Sequence, residues 1–365
     1  MRQNQNKHAG YIMIFTLLVI AASMVIVTYV GHRGAVHAPF ARMAIDREKA
    51  KLLALSGIEI IQSQLSVPGQ TDKPAPSNTP QQETEKKDSD SSAKDLLKRV
   101  LPVLNIWQEF SLTEEIDGVD GAISICLMSE EGKININQIY NFKKQAFRGD
   151  KAKGWQSILQ ELCKAIEKVT KTTELFSAFE KVFKDRRSKF NDATELIAKK
   201  EFGYFKDFLF FAPPIMQKNT KDKQQSSIYL TDIFTVWSSS GKIEPWLFSH
   251  SLKVLFGFDQ SNESQDSKKR KELVDGWTKK FKKTVEWQKD WKTMLQPVYG
   301  KELRSLPKNI DSVLSETFDP HFFSVRVHAK VGQVTQQLYA ILELTEKQQE
   351  TSIQYNVAVK KLYWL

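Results

Sequence analysis

The stretch "KHAGYIMIFTLLVIAASMVIVTYVG", residues 7–31, decides how the rest of the chain is read. Tyr11 to Val30 carries no charge, and only ten residues precede it. Twenty such residues at about 1.5 Å each span roughly 30 Å as a helix, the thickness of a bilayer's hydrocarbon core. The apolar part of a secretory signal is shorter and ends in a small-x-small cleavage site. "AVHA" at 35–38 is a weak version of such a site, so the full spanning length favours retention of the helix. Arg2, Lys7 and His8 lie before the span, and Arg33 and Arg42 lie after it. Positive charge ahead of the span places the N-terminus in the cytoplasm and the bulk of the chain outside it. A buried core helix is the competing reading, but no later segment approaches this hydropathy.

Gly10 sharpens the reading. A short basic leader, residues 1–10, ending in Gly directly against an apolar helix has the pattern of a prepilin-peptidase substrate. That enzyme cuts on the cytoplasmic side and leaves the helix as the new N-terminus. Lys7, Gly10 and Tyr11 occupy the matching places, with cleavage between Gly10 and Tyr11. The fifth mature residue, Glu in major pilins, is Phe15. No carboxylate therefore enters the apolar helix, where a charge would need a partner. A subunit lacking that Glu suits the end of a filament, where one neighbour is missing.

A chain of 365 residues allows one large or two modest domains beyond the span. The net charge of +10 is dispersed. "KKDSD" and "KKTVEWQKDWK" interleave acids with bases, as solvated helix faces do, which argues against a nucleic-acid partner. The two cysteines, Cys126 and Cys163, form no CxxC or Cys/His ligand pattern, and sequence leaves open whether they pair.

Residues 31–66 read as an amphipathic continuation of the first helix, kinked near Gly34 and Pro39. Leu52, Leu55, Ile58, Ile61 and Leu65 form its packing stripe. Residues 67–95, rich in Pro, Ser, Thr and Gln, have too little apolar surface to offset the entropy of ordering and read as a disordered loop. Strands are expected over 96–142. Ile123, Ile125 and Leu127 alternate with Ser124, Cys126 and Met128, and a hairpin turn at Gly132 leads into Ile134 and Ile136. The period turns helical over an inserted domain at 143–225, closed by "APP". Residues 226–300 supply a strand and turn, then helices near Trp246–Phe256 and Lys268–Leu295. Residues 301–365 close with a three-stranded antiparallel meander. The fold class is α+β: a pilin-like long N-terminal transmembrane helix on an antiparallel sheet, with a large inserted helical domain.

In that order, "KHAG|YIMIF", "AKLLALSGIEIIQSQL", "EEGKININQI", "YLTDIFTVWSSSGKIEPW" and "HFFSVRVHAKVG" resemble the protein K family (GspK) of type II secretion systems, the large minor pseudopilin. The resemblance runs the length of the chain apart from 67–95. It departs at Glu244 and Trp246, where the family's second Asn-x-Asn pattern would be usual. It implies a structural role at the tip of a pseudopilus, supporting export of folded proteins across the outer membrane. The implied partners are the minor pseudopilins I and J, the prepilin peptidase and the inner membrane. The implied location is that membrane, with the large C-terminal region in the periplasm. Some members bind Ca2+; Asp117, Asp120, Glu130 and Glu131 offer hard oxygens here, but in no recognisable ligand loop, and they read as solvated turn acids.

No catalytic constellation emerges. His8, His32, His37, His250, His321 and His328 make no HExxH, "WSSSGK" lacks the features of a phosphate loop, and there is no GxSxG. Tryptophans 277, 287 and 291 read as core-facing aromatics. The expectation is a non-enzyme without a cofactor. The alternatives are a minor pilin of a type IV pilus or DNA-uptake system, and an uncleaved single-pass membrane sensor or binding module.

Overall fold

A computed structural model describes residues 6–66, 96–149, 154–208, 228–258, 272, 306, 309–315, 320–349 and 352–365. The expected loop at 67–95, the "APP" closure and nearly all of the expected helix at 268–295 lie outside the described residues.

The first helix, α1 (Asn6–Ser66), is a single run of 61 residues that includes Pro39 and passes Gly34 without interruption. Its C-terminal part lies across a five-stranded antiparallel sheet. The strands are β1 (Trp107–Leu112), β2 (Gly121–Ser129), β7 (Phe322–Val331), β8 (Val334–Gln349) and β9 (Ser352–Trp364), in spatial order β1-β2-β7-β8-β9. The closing meander β7–β8–β9 thus joins β2 through β7. A bulge between Ile341 and Leu342 shifts the β8–β9 register by one residue. The fold class is α+β, with the long apolar helix on an antiparallel sheet.

Period-2 alternation splits the sheet residues between two faces. Ile123, Ile125 and Leu127 of β2, Val325 and Val327 of β7, and Ala340 and Leu342 of β8 share one core with Ala54, Ile58, Ile61 and Leu65 of α1. Cys126, Met128, Tyr339 and Ile341 on the other face are equally buried, in a second cluster with Trp107, Trp237, Phe322 and Tyr363. Both cysteines are buried thiols in different clusters, and no disulfide joins them.

The expected packing stripe is only partly the buried one. Ile58, Ile61 and Leu65 are in the core, whereas Leu52 is 65% and Leu55 37% exposed. Each three-residue step along a helix falls about 60° short of a full turn. The run Leu52–Leu55–Ile58–Ile61 therefore spirals from solvent into the sheet. Small residues make the contact at the earlier turns: Ala50 and Ala54 are fully buried, and a Cβ on Gly57 would lie 2.8 Å from Val327 Cγ1 and 2.9 Å from Ile123 Cδ1.

The expected hairpin at Gly132 does not form. β3 (Ile134–Asn135) pairs in parallel with β6 (Phe234–Thr235), while β2 takes β1 and β7 as neighbours. The physical reason is the path of the turn: a Cβ at Gly132 would sit 1.7 Å from the Leu247 carbonyl oxygen, so the chain here is pressed against another segment.

Between β3 and β6 lie the two-stranded ribbon β4 (Tyr140–Asn141) and β5 (Ala146–Phe147), then α2 (Trp155–Thr170) and α3 (Leu175–Lys184). A 3-10 segment, Lys200–Phe208, follows. The expected helix near Trp246–Phe256 is a short 3-10 turn, Pro245–Leu247, and then α4 (His250–Leu255), N-capped by Ser249. Aromatic contacts hold this helical region together: Tyr140 stacks on Phe183 at 5.2 Å, and Phe179 meets Phe202 at 4.8 Å and Phe234 at 5.1 Å. These side chains belong to the same core as the α1 face of the sheet.

Candidate functional surfaces

Two places carry the features that sequence reasoning singled out: the N-terminal helix and the "SEEGKININ" junction at the end of β2.

Lys7, Gly10, Tyr11 and Phe15 all fall within α1, so the apolar run continues as helix through the position of the expected cleavage. Tyr11 is 80% and Phe15 64% exposed. Within the apolar run the only side-chain hydroxyls besides Tyr11 and Tyr29 belong to Thr16, Ser23 and Thr28. They donate to the carbonyls of Met13, Val19 and Met24 at 2.9, 2.8 and 2.8 Å. The surface presented outward is therefore mainly apolar, with the Thr16, Ser23 and Thr28 hydroxyls satisfied within the helix, as a lipid or another helix requires. Arg33 lies 5.6 Å over the Tyr29 ring just past the uncharged stretch, an aromatic-cationic boundary of the kind found at membrane interfaces. This helix is long and apolar enough to cross a membrane.

Further along α1, Gln62 Nε2 donates to the Val357 carbonyl of β9 at 3.0 Å, which identifies the flank that faces the edge strand. Leu55 lies two turns earlier on that flank, and Leu52 sits further round toward solvent. On β9, Val359 and Leu362 are also exposed, opposite Leu342 and Ala340 in register, which belong to the α1 side of the sheet. Two leucines that do not build the core thus share one side of the molecule with the exposed aliphatic residues of an edge strand.

The junction is the reverse case. Ser129 to Asn137 are all buried although they include Glu130, Glu131 and Lys133. Glu130 Oε1 is 2.5 Å from Lys133 Nζ and accepts from the Tyr339 hydroxyl at 3.3 Å, while Thr235 Oγ1 donates to Glu130 Oε2. Glu131 Oε1 accepts from Ser239 N at 3.1 Å, Ser239 Oγ at 3.0 Å and His321 N at 3.4 Å. Burial raises the Glu131 carboxyl above its ordinary range, and the bonds from Ser239 and His321 oppose that. Backbone bonds complete the stitching: Glu244 N donates to Glu131 O at 2.9 Å, and Ser249 N to Gly132 O at 3.3 Å. Asn135 caps the following turn by accepting from Asn137 N, and Asn137 both donates to and accepts from the Phe190 backbone. A single segment therefore ties the sheet to both arms of the helical region. Glu244 contributes its backbone to this knot rather than a cap: the Pro245–Leu247 turn has no side-chain cap.

The expectation of solvated turn acids fails at Glu130 and Glu131, which are 2% and 1% exposed and committed to protein donors. Asp117 accepts from Thr113 N at 2.9 Å beyond the opposite end of β2. That strand is nine residues long, roughly 30 Å at the usual rise, so the four acids do not converge on one ion. No group of three metal-ligating side chains occurs among the described residues.

Burial holds two further groups in their neutral forms. Burial, then the charge of Arg326, lowers His328 to about 3, and its neutral ring meets Trp107 edge-on at 4.9 Å. Burial raises the Cys163 thiol, which keeps it protonated. His321 contributes its backbone N–H to Glu131. The buried charges of the junction were missed in the sequence because "SEEGK" has turn composition; the hydrophobic residues on both sides, Ile125–Met128 and Ile134–Ile136, are the signal that the turn is interior.

No protein-family model matches the chain. No curated protein matches it either. Among solved structures the chain is similar to the crystal structure of the GspK-GspI-GspJ complex of the type 2 secretion system from enterotoxigenic Escherichia coli, at 11% identity and a TM-score of 0.33, covering 76% of this chain and 94% of that one.

Proposed function

We propose that the chain is a minor pseudopilin of the protein K type, processed after Gly10, held in the inner membrane by residues 11–30, and placed at the tip of a secretion pseudopilus with its folded part in the periplasm. The observation that carries this reading is the division of labour along α1. One unbroken helix has an uncharged stretch, Tyr11–Val30, whose described side chains face outward, and a later part seated on the sheet through Ala50, Ala54, Gly57 and Ile61. A helix built this way can exchange lipid for the helices of neighbouring subunits without unfolding the domain behind it. Phe15 at the fifth mature position suits a subunit with a neighbour on one side only. On this reading the role is structural, without a catalytic step or cofactor, and Leu52, Leu55, Val359 and Leu362 face the minor pseudopilins I and J.

The test is intact mass and N-terminal sequence of the chain made in membranes with and without a prepilin peptidase. A mature start at Tyr11 that depends on the peptidase is the expected result. An intact Met1, or a start near Ala38, would overturn the proposal in favour of an uncleaved anchor or a secreted binding domain. If the start is Tyr11, a crosslinker at Leu55→Cys separates filaments: capture of pseudopilins I or J supports the secretion role, and capture of pilus subunits instead points to a type IV pilus or uptake system.

A further inference from the structure

A cleft of about 430 Å³, within the usual size range of ligand pockets, opens between Gln138, Arg148, Trp155, Gly241, Lys242 and Val313, none of them in α1. Its charge is one-sided. Among the described residues, Arg148 and Lys242 line it and no carboxylate does. The Arg148 guanidinium contacts a neutral group, donating from Nη1 to Gln138 Oε1 at 3.0 Å, which turns the fork without neutralising it. The walls are fixed by backbone bonds from separate segments. Arg148 N donates to Ile139 O at 2.9 Å, Trp155 N to Arg148 O at 3.1 Å, and Ile243 N, beside Lys242, to Val313 O at 2.8 Å. Trp155 and Val313 add apolar side chains to the lining. Some cations of the helical region are matched by carboxylates, Lys181 by Glu201 at 2.8 Å and Arg186 by Glu195 at 2.5 Å, whereas Arg148 and Lys242 have no such pair among the described residues. The cleft keeps two cations in reserve.

We propose that this cleft binds a carboxylate presented by an acidic peptide segment of another protein, with Arg148 as the bidentate partner, Lys242 as the second charge, and Trp155 and Val313 receiving an adjacent apolar side chain. Two single charges and an apolar wall match a carboxylate on a peptide better than a phosphate, which would need more donors converging on one centre. The inference does not depend on how the N-terminus is processed, since no residue of α1 takes part.

The test uses the full chain in detergent and two fluorescently labelled hexapeptides: one with adjacent Asp and Glu flanked by Leu, the other with Asn and Gln in their place. Binding is read by anisotropy at low ionic strength, with inorganic phosphate as competitor. The acidic peptide should bind at least about ten-fold more tightly than the amide one. Arg148→Gln and Lys242→Gln should each weaken it by about three- to ten-fold, and the double variant should not distinguish the two peptides. Both side chains are exposed, so unchanged thermal unfolding is expected and separates lost binding from lost structure. Equal binding of the two peptides, or undiminished binding of the acidic one by the double variant, would show diffuse attraction by the chain's net charge and overturn the proposal. Tighter binding of phosphate than of peptide would overturn it in favour of a small inorganic anion.

Discussion

Tyr11–Val30 and Ser129–Asn137 invert the usual rule of burial. The first has no charge and its described side chains are all exposed; the second holds two glutamates and a lysine and is buried throughout. Exposed apolar surface of that extent calls for a solvent other than water or for a covering partner. Buried charge calls for a complete set of local partners. The two regions therefore depend on different things. The apolar half of α1 keeps its shape by internal hydrogen bonds and is indifferent to the rest of the fold. The junction exists only because β2, β6, β7, β8 and the 238–249 segment all reach it.

Glycine substitutions break this comparison most sharply. At Gly132 a Cβ would meet the Leu247 carbonyl at 1.7 Å, backbone against backbone, so neither side can yield cheaply. Gly132→Ala should cost more than about 4 kcal/mol, the range reserved for such clashes, and leave little folded protein by circular dichroism and limited proteolysis. Nothing lies within 4 Å of a Cβ at Gly34. Gly34→Ala should leave the melting temperature of the folded region unchanged and only firm the helix, by about 1 kcal/mol. Comparable losses at both sites would mean that α1 is held by the domain along its whole length.

The next largest effect concerns charge. Lys133→Met leaves Glu130 buried without its ion-pair partner, which should cost about 3–5 kcal/mol. Adding Glu130→Gln removes the stranded charge; its one carbonyl oxygen keeps an acceptor for Thr235 or Tyr339 while the other hydroxyl turns to accept from its amide NH2, and the change should recover more than half of that loss in denaturant titrations. If the double variant were no better than the single one, the lysine would act through packing of its stem and not through its charge.

The parts of this fold legible in the sequence were those that follow from period alone. Alternation marks β2 and the β7–β8–β9 meander, and the uncharged run marks α1. The residues that resisted reading depend on contacts made far along the chain. Leu52 and Leu55 looked like core because spacings of three and four were treated as one stripe, while Ala50, Ala54 and Gly57, which make the contact, have too little hydropathy to signal it. Glu130 and Glu131 looked like turn acids because their partners Thr235, Ser239, His321 and Tyr339 lie about a hundred to two hundred positions away. Arg148 and Lys242 likewise meet only through folding. The residues of the proposed processing site, Lys7, Gly10, Tyr11 and Phe15, stand together in linear sequence, so that reading rests on no contact made by folding.

The smallest expected effect sharpens the comparison by pH. Burial raises the Glu131 carboxyl above its ordinary value of 4.5, so folding favours its neutral form. Its contribution to stability is then complete below pH 4.5 and is lost as pH climbs through the higher value it has in the folded protein. Glu131→Gln keeps a carbonyl oxygen for Ser239 and His321 and does not titrate. The variant should therefore lose less stability than the native chain as pH rises above 4.5, with the two curves converging on the acid side. Paired acids elsewhere in the molecule push in the opposite direction, so the difference between the two melting profiles isolates this one group. Parallel profiles would mean that the three donors around Glu131 fully offset its burial, and that the junction tolerates a second negative charge beside Glu130. No such dependence should arise from Tyr11–Val30, which contains no carboxylate or amine side chain to titrate.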